Sequence, residues 1–384
     1  MNASRFISRR LRFEGKIAAV STAVSFFVMI LAVAVSSGFR RELRSGITAV
    51  SGDIQITAPD LNYLSETDPV SLRQPWLEGL ADMEGVRDMV PAVYRAGIVR
   101  SGDNIHGVLF KGVPDGPDSL GVRIPSRLAK MLSLKPGDRM QAYFVGERVK
   151  LRNFRVDDVF PAILSGDENL VVFAGLADMQ RLNGWAEDEV SAIEVDLADK
   201  SNAALGAMTG RIGTRILLQT PEDEDTLLAS SALDKYPQIF SWLDLLDLNV
   251  VIILLLMTVV AGFNMISGLL ILLFRNISTI GTLKSLGMTD RAISEVFLRV
   301  ASGIVLKGML AGNAAALLFC AVQGSTHLLK LNPENYFVSF VPVHVSLPAI
   351  VAADFAAYLV IMLLLLLPGL FIARIDPART VRAR

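Results

Sequence analysis

Few side chains in this sequence have the types and spacing that catalysis or metal binding requires. His106, His327 and His344 are isolated, and no cluster of His, Asp or Glu has the spacing of metal ligands, so we expect no metal site. The single cysteine, Cys320, lies in an apolar run and excludes an internal disulfide or a cysteine-based cluster, so we expect a packing role. No nucleophile motif or GxxxxGK phosphate loop is present, so we expect no enzymatic activity and no cofactor in this chain.

Two ionisable residues, Lys307 and Asp354, lie in long apolar segments, where a charge is costly and marks a candidate functional group. If the two segments cross a membrane in opposite directions, the residues differ in depth by roughly 5 to 10 Å at 1.5 Å per residue. An ion pair between them is therefore within reach. Snorkelling of each charge to the nearer interface is the simpler interpretation, and their role stays open.

The composition points to a membrane protein. Of the 384 residues, 52% are hydrophobic, and the mean hydropathy of +0.46 is higher than the core of a soluble domain needs. The net charge is −1, and Lys and Arg are spread along the chain without a basic stripe. A nucleic-acid partner is therefore excluded.

Four apolar segments are long enough to cross a membrane as helices: residues 17–38, 248–274, 299–323 and 347–373. The first is about 22 residues long, which spans a hydrocarbon layer of roughly 30 Å. A cleaved signal peptide is the alternative, but the apolar part is too long and Arg40 and Arg41 follow it closely. In the third segment, Gly308 and Gly312 have the GxxxG spacing that allows close helix packing.

Basic residues in the short flanks predict the orientation. They are concentrated in an amphipathic N-terminal segment (1–16), in the segment 275–298 and in the tail 374–384, which we therefore place in the cytoplasm. The loop 324–346 has Lys330 as its only basic residue and is predicted to face the periplasm with the large segment 39–247. Arg40 and Arg41 oppose this assignment, but they precede a long loop, where the charge rule weakens.

Residues 39–247 alternate between short strands and short helices, which predicts an α+β extracytoplasmic domain. Pro136 and Gly137 form a turn signal before a predicted strand at 139–145. A hairpin then leads to a predicted strand at 153–159. Further strands are predicted at 53–57, 97–99, 107–110 and 192–195, and short helices at 76–83 and 126–132.

The segment 275–298 has the clearest local pattern of any loop. Ile277, Ile280, Leu283 and Leu286 recur every three residues and give a short helix one apolar stripe, and Gly287 suits a left-handed end to it. Thr289 can cap the next helix, with Asp290 in its first turn. By spacing alone, a surface loop and a functional helix remain equally open.

Residues 280–287 (IGTLKSLG) resemble the coupling segment of the permease superfamily that contains FtsX, MacB and the lipoprotein-releasing LolC/LolE proteins. Residues 261–267 (AGFNMIS) are similar to the family's Phe-Asn-Ile-x-Ser stretch, and the tail 375–382 resembles its basic ending. Within the large domain, the order and spacing of several motifs resemble the lipoprotein-releasing branch: 38–44, 52–56, 134–138, 154–160, 179–185 and 193–195.

The resemblance implies a permease subunit of an ABC transporter in the bacterial inner membrane, with a MacB-like periplasmic core domain. A separate cytoplasmic ATPase dimer would hydrolyse ATP with Mg²⁺, beside a second, identical or homologous permease. The expected cargo is a lipoprotein, extracted for transfer toward the outer membrane. MacB-like efflux and FtsX-like control of periplasmic partners are alternatives, and a membrane sensor with an extracytoplasmic ligand-binding domain is a more remote one.

The resemblance also implies three sets of site residues. ATPase coupling is expected at Ile280, Gly281, Leu283, Lys284, Leu286 and Gly287. An apolar cavity for lipid chains is expected on the first two spans, where position alone suggests Val28, Leu31, Val35, Leu256, Val260 and Phe263. A chaperone-binding hairpin would contain Gly146, Glu147 and Arg148, but only about seven residues (146–152) bridge its strands. Because the family's hairpin protrudes further, chaperone docking stays open.

Overall fold

A computed structural model of the chain describes residues 16–59, 61, 69–102, 104–146, 148–160, 170–220, 226–332, 336 and 338–368. Glu147, the predicted tail and nearly all of the predicted N-terminal segment lie outside these residues. The chain divides into two compact units. The helical unit comprises Met1–Arg41, Trp242–Lys330 and Phe340–Arg384, and the sheet unit comprises Glu42–Ser241 and Leu331–Ser339.

Among the described residues, four helices are long and apolar enough to cross a membrane, which confirms the predicted fold class. They are α1 (Lys16–Ser51), α6 (Pro237–Arg275), α8 (Asp290–Thr326) and α9 (Leu347–Leu364). Three of them are longer than the predicted spans. The sequence predicts that the first span ends at Gly38 and that the α+β domain begins at residue 39, whereas α1 continues to Ser51. The extension is stable because Leu43 and Ile47, one turn apart, are fully buried in the sheet unit.

All four long helices contribute to the main apolar core of the helical unit. It includes Phe26 of α1, Met265 of α6, Phe297 of α8 and Ile361 of α9. The predicted close packing at the GxxxG pair is confirmed. A Cβ atom added to Gly312 would lie 2.3 Å from the carbonyl oxygen of Ala23, and one added to Gly308 would lie 2.8 Å from Thr22 Cβ.

The two ionisable residues of the apolar segments are not paired with each other. Asp354 Oδ2 accepts a hydrogen bond of 2.5 Å from Asn313 Nδ2, which joins α9 to α8, and Asp354 is only 9% exposed. Lys307 is exposed. The arrangement agrees with snorkelling of the lysine and gives the aspartate a neutral polar partner.

The described residues of the sheet unit form a mixed nine-stranded sheet in the order β11-β1-β10-β3-β4-β8-β5-β7-β6, and a two-stranded sheet β2-β9. The strands are β1 (Ile54–Thr57), β2 (Val70–Ser71), β3 (Val86–Ser101), β4 (Asn104–Val113), β5 (Gly121–Pro125), β6 (Arg139–Phe144), β7 (Lys150–Phe160), β8 (Val171–Gly175), β9 (Glu189–Val190), β10 (Ala192–Leu197) and β11 (Leu228–Ser231). β3 also pairs with β6, so β3, β4, β8, β5, β7 and β6 close into a ring. Phe110, Phe144 and Phe154 are buried together, with Phe110 4.9 Å and 5.1 Å from the other two ring centroids.

The short helices of the sheet unit are α2 (Ser126–Met131), α3 (Leu176–Asn183), α4 (Asn202–Gln219) and α5 (Ala232–Lys235). The helix predicted at 126–132 is confirmed. The helix predicted at 76–83 is wrong, because only Pro75–Leu77 forms a 3₁₀ turn there. β7 begins at Lys150 rather than at Asn153, so the bridge between the hairpin strands is residues 145–149, shorter than predicted.

Candidate coupling site

The segment between α6 and α8 folds as a short helix, α7 (Ile277–Ser285), with well-defined ends. Gly287 has a φ of +87°, and the amide of Met288 donates to the carbonyl of Leu283 at 3.0 Å, which forms a left-handed helix end. Thr289 then caps α8 by accepting from the amide of Ala292 at 3.4 Å. The predicted roles of Gly287 and Thr289 in this turn are therefore confirmed.

The apolar stripe of α7 faces the protein's own helices. Ile280 is fully buried in the core of the helical unit, and Gly281 is buried beside it. Leu283 and Met288 are half-buried and pack against the same core. These contacts fix α7 against the long helices, so the stripe is not a free surface for another protein.

The free surface of α7 is mostly polar. Thr279, Thr282 and Ser285 are exposed, and Leu286 is 77% exposed although it continues the stripe in sequence. Leu286 lies at the end of the helix, where the chain turns at Gly287 and carries the side chain away from the core. Of the six predicted coupling residues, Leu286 and Gly287 are thus the exposed ones.

An ion pair joins α7 to the start of α8. Lys284 Nζ lies 2.8 Å from Asp290 Oδ1, with the lysine side chain 11% exposed and the aspartate 48% exposed. Asp290 is also in the first turn of α8, where a negative charge is favoured. The pair therefore bridges the turn at Gly287 and holds the angle between the two helices.

α1 and α6 lie side by side in the helical unit. Asn264 Nδ2 donates to Ser21 Oγ, Ser36 Oγ donates to Asp247 Oδ1 at 2.7 Å, and Arg40 forms an ion pair with Asp247. Of the predicted cavity residues, the three on α1 (Val28, Leu31 and Val35) are half-buried. Leu256, Val260 and Phe263 form an exposed apolar strip on α6, with 53%, 40% and 62% of each residue exposed.

The hairpin tip between β6 and β7 is exposed. Arg148 is exposed and Gly146 half-buried, and their neighbours Val145 and Val149 are 55% and 65% exposed. Leu151, at the start of β7, is 45% exposed. The tip therefore presents apolar side chains beside a basic one.

A buried charge network at the end of α1, within the sheet unit, was not found from the sequence. Lys111 Nζ donates to the carbonyl oxygens of Ala49 and Val50, both at 3.0 Å, and to the Glu194 carboxylate at 2.8 Å. The Tyr94 hydroxyl donates to the Val50 carbonyl oxygen at 2.7 Å and also contacts the Glu194 carboxylate. Burial raises the pKa of Glu194, and the adjacent Lys111 opposes that rise. The only sequence signal is a lysine in an otherwise apolar strand and a glutamate in another.

Comparison with known proteins matches the C-terminal third of the chain to a family model. Residues 251–377, which include α7 and its turn, match the family model "FtsX-like permease C-terminal". Residues 251–377 are an FtsX-like permease domain. The predicted resemblance to this superfamily is therefore confirmed, and α7 lies inside the permease domain.

Similarity to named relatives extends beyond the permease domain. The chain is 24% identical to the lipoprotein-releasing system transmembrane protein LolC of Xylella fastidiosa (strain Temecula1), over 94% of this chain and 91% of that protein. It is 21% identical to the corresponding protein LolE of Haemophilus influenzae, over 95% of this chain and 93% of that protein. With the four long helices, these relatives support an ABC transporter permease of the bacterial inner membrane that has a periplasmic domain.

Two solved structures are similar to part of the chain. The periplasmic region of MacB from Actinobacillus actinomycetemcomitans is 13% identical, with 50% of this chain and 95% of that chain covered and a TM-score of 0.32. The extracellular domain of the noncanonical ABC-type transporter YknZ from Gram-positive bacteria is 11% identical, with 46% and 99% covered and a TM-score of 0.31.

Proposed function

We propose that this chain is the permease subunit of an ABC transporter that releases lipoproteins from the inner membrane for transfer toward the outer membrane. The observation that carries the proposal is the extent of the similarity to proteins of lipoprotein-releasing systems. It covers 94% of this chain for LolC and 95% for LolE, and thus includes the sheet unit as well as the permease domain.

Lipid anchors explain why such a protein would need an energy source. Each methylene moved from the bilayer into water costs about 0.8 kcal/mol, so one acyl chain of about 15 methylenes costs about 12 kcal/mol. The proposed partner is a cytoplasmic ATPase dimer that binds ATP and Mg²⁺ and does this work through the permease. In this scheme, the N and C termini and α7 face the cytoplasm.

The free surface of α7 is the proposed ATPase contact. Leu286 is the apolar side chain that a groove in the ATPase would bury, with Thr279 and Thr282 beside it. Ile280, Gly281 and Leu283 would not contact the ATPase. They would support the contact surface by holding α7 against the core of the permease domain. Movement of the ATPase would then reach the long helices through these packed residues.

The strip of Leu256, Val260 and Phe263 on α6 is the proposed lining for lipid chains. A second permease, identical or homologous, would face this strip and enclose an apolar cavity together with Val28, Leu31 and Val35 of α1. The exposure of the α6 strip supports this role, because an apolar surface of this kind is stable only against lipid or another membrane protein.

The hairpin tip is the proposed contact for a periplasmic lipoprotein chaperone. Gly146, Glu147 and Arg148 form its sequence centre, and Val145 and Val149 supply exposed apolar surface. The bridge of residues 145–149 is short, so we expect a small contact that uses side chains from the strand ends as well.

Co-purification in detergent followed by mass spectrometry tests the proposal. We expect the purified chain to carry an ABC ATPase, a second permease subunit and a lipoprotein with its acyl chains. An ATPase that co-purifies with a cell-wall hydrolase, and without a lipoprotein, would favour FtsX-like control. A soluble small ligand without any ATPase would favour the sensor.

A further inference from the structure

The carboxyl end of α1 is held by side chains of the sheet unit rather than by solvent. The last carbonyl groups of a helix have no partner within the helix. Here the Ala49 and Val50 carbonyls accept hydrogen bonds from Lys111, and Val50 also accepts one from Tyr94. A cation at this end also interacts favourably with the helix dipole.

Lys111 is itself fixed in place. Its side chain is 3% exposed and the side chain of Glu194 is 8% exposed, and their charged groups are 2.8 Å apart. Tyr94, on the neighbouring strand β3, also contacts the Glu194 carboxylate. The ammonium group therefore has two carbonyls and one carboxylate as acceptors and is shielded from solvent.

The chain enters the sheet directly after this helix end. Gly52 turns the backbone with a φ of +67°, and a Cβ atom added there would lie 2.9 Å from Glu194 Cβ. β1 then begins at Ile54 and pairs with β10 on one side and β11 on the other, with Gln55 opposite Glu194. The same carboxylate thus lies beside the helix end and beside the strand that follows it.

From these contacts we propose that Lys111, held by Glu194, is a positioning residue that ties the first membrane helix to the periplasmic sheet. α1 is one continuous helix from Lys16 to Ser51. A displacement of this helix during the ATP cycle is therefore passed to β1 and β10 instead of being lost by unwinding of its last turn. The proposal rests on the proposed transport function only in its supposition that α1 moves in an ATP-driven cycle.

The test uses a double variant, because a single change leaves a buried charge without its partner. Lys111→Met/Glu194→Gln removes both charges together and keeps similar side-chain volumes, which typically has little effect on folding. Tyr94→Phe removes one donor to the helix end and leaves the ion pair intact. Asp178→Asn/Arg181→Met is the matched control, since it removes both charges of another ion pair with a buried carboxylate elsewhere in the sheet unit.

All variants are purified as full chains with their ATPase in lipid nanodiscs or proteoliposomes. Two readouts are compared: lipoprotein released per ATP hydrolysed, and hydrogen–deuterium exchange of residues 44–57 with and without ATP. We expect the double variant to fold and keep its ATPase activity, with a melting temperature lowered by a few degrees because the Ala49 carbonyl loses the donor Lys111, but to lose about tenfold in release per ATP. Its ATP-dependent change in exchange should disappear, Tyr94→Phe should be intermediate, and Asp178→Asn/Arg181→Met should match the wild type.

Normal release and normal ATP-dependent exchange in a folded double variant would overturn the proposal. An unchanged exchange pattern in the wild type on adding ATP would also overturn it, because no motion would then reach the helix end. If the wild type releases no lipoprotein but its exchange responds to ATP through Lys111, the cargo assignment fails and the positioning role stands.

Discussion

Lys284 Nζ and Asp290 Oδ1 lie 2.8 Å apart and connect the end of α7 to the first turn of α8 across the turn at Gly287. Asp290 is about half exposed, so the pair adds less than about 1 kcal/mol to stability. Its effect is on geometry, because it limits the angles that α7 can adopt. We therefore expect Lys284→Met to leave the melting temperature nearly unchanged and to lower ATPase stimulation by cargo a few fold. Arg291→Met, a neighbouring basic residue, serves as the charge control, and equal loss in both variants would contradict the geometric role.

Leu283 and Leu286, at the end of α7, have different predicted roles: Leu283 packs against the permease core, and Leu286 contacts the partner ATPase. Leu283 is half-buried against the permease core, whereas Leu286 is 77% exposed. Leu283→Asp should therefore destabilise the chain by about 2 to 4 kcal/mol and lower its yield in membranes. Leu286→Asp should preserve the melting temperature and weaken ATPase binding at least tenfold in a pull-down titration. Unchanged ATPase binding by Leu286→Asp would contradict the proposal that this surface of α7 contacts the ATPase.

Gly312 sets the distance between α1 and α8. Its added Cβ atom would lie 2.3 Å from the backbone oxygen of Ala23, which cannot move without the helix. Gly312→Leu should therefore push the helices apart and lower the melting temperature in detergent by several degrees. Gly303→Leu is the matched control in the same helix, because an added Cβ there meets no atom within 4 Å. Similar melting temperatures for the two variants would argue against close packing at Gly312.

The lowered pKa of Lys235, in the sheet unit, predicts that the free energy of unfolding depends on pH. Burial lowers its pKa to about 8, while in the unfolded chain it stays near 10.5. Between these values the unfolded state binds more protons than the folded state, so stability should rise as pH increases from about 8 to about 10.5, and this group should contribute no slope below 8. The gain is on the order of 2 kcal/mol after allowance for partial exposure.

The measurement for Lys235 is the melting temperature of the full chain across this pH window, compared with Lys235→Met. The difference between the two curves isolates the lysine from other groups such as Tyr236, whose pKa is raised by burial. A methionine variant with the same pH slope as the wild type would contradict the assignment.

The four membrane helices could be predicted because long uncharged segments have few other stable structures. The parts of the helices that extend beyond these segments could not be predicted, because their stability depends on burial in the tertiary structure. Nothing in the local pattern after Gly38 indicated that Leu43 and Ile47 would find a core to pack against. The predicted helix at 76–83 was wrong for the opposite reason. The local sequence pattern is compatible with a helix, but the chain forms only a 3₁₀ turn at Pro75–Leu77.

The candidate site shows the same limit. Spacing predicted α7, its apolar stripe and the turn at Gly287. The spacing could not show whether the stripe packs against the chain's own helices or against a partner protein, because either contact requires the same apolar residues. The network of Lys111 and Glu194 was missed because the two residues are 83 positions apart and meet only through strand pairing.

Closure of β3, β4, β8, β5, β7 and β6 into a ring limits how a peptide can bind this part of the sheet unit. Strands whose backbone groups are already paired on both sides offer no place for an extended peptide to join by main-chain hydrogen bonds. An extended peptide segment therefore cannot bind to these strands as an added strand. Any molecule that binds at the ring must be recognised by its side chains or its shape.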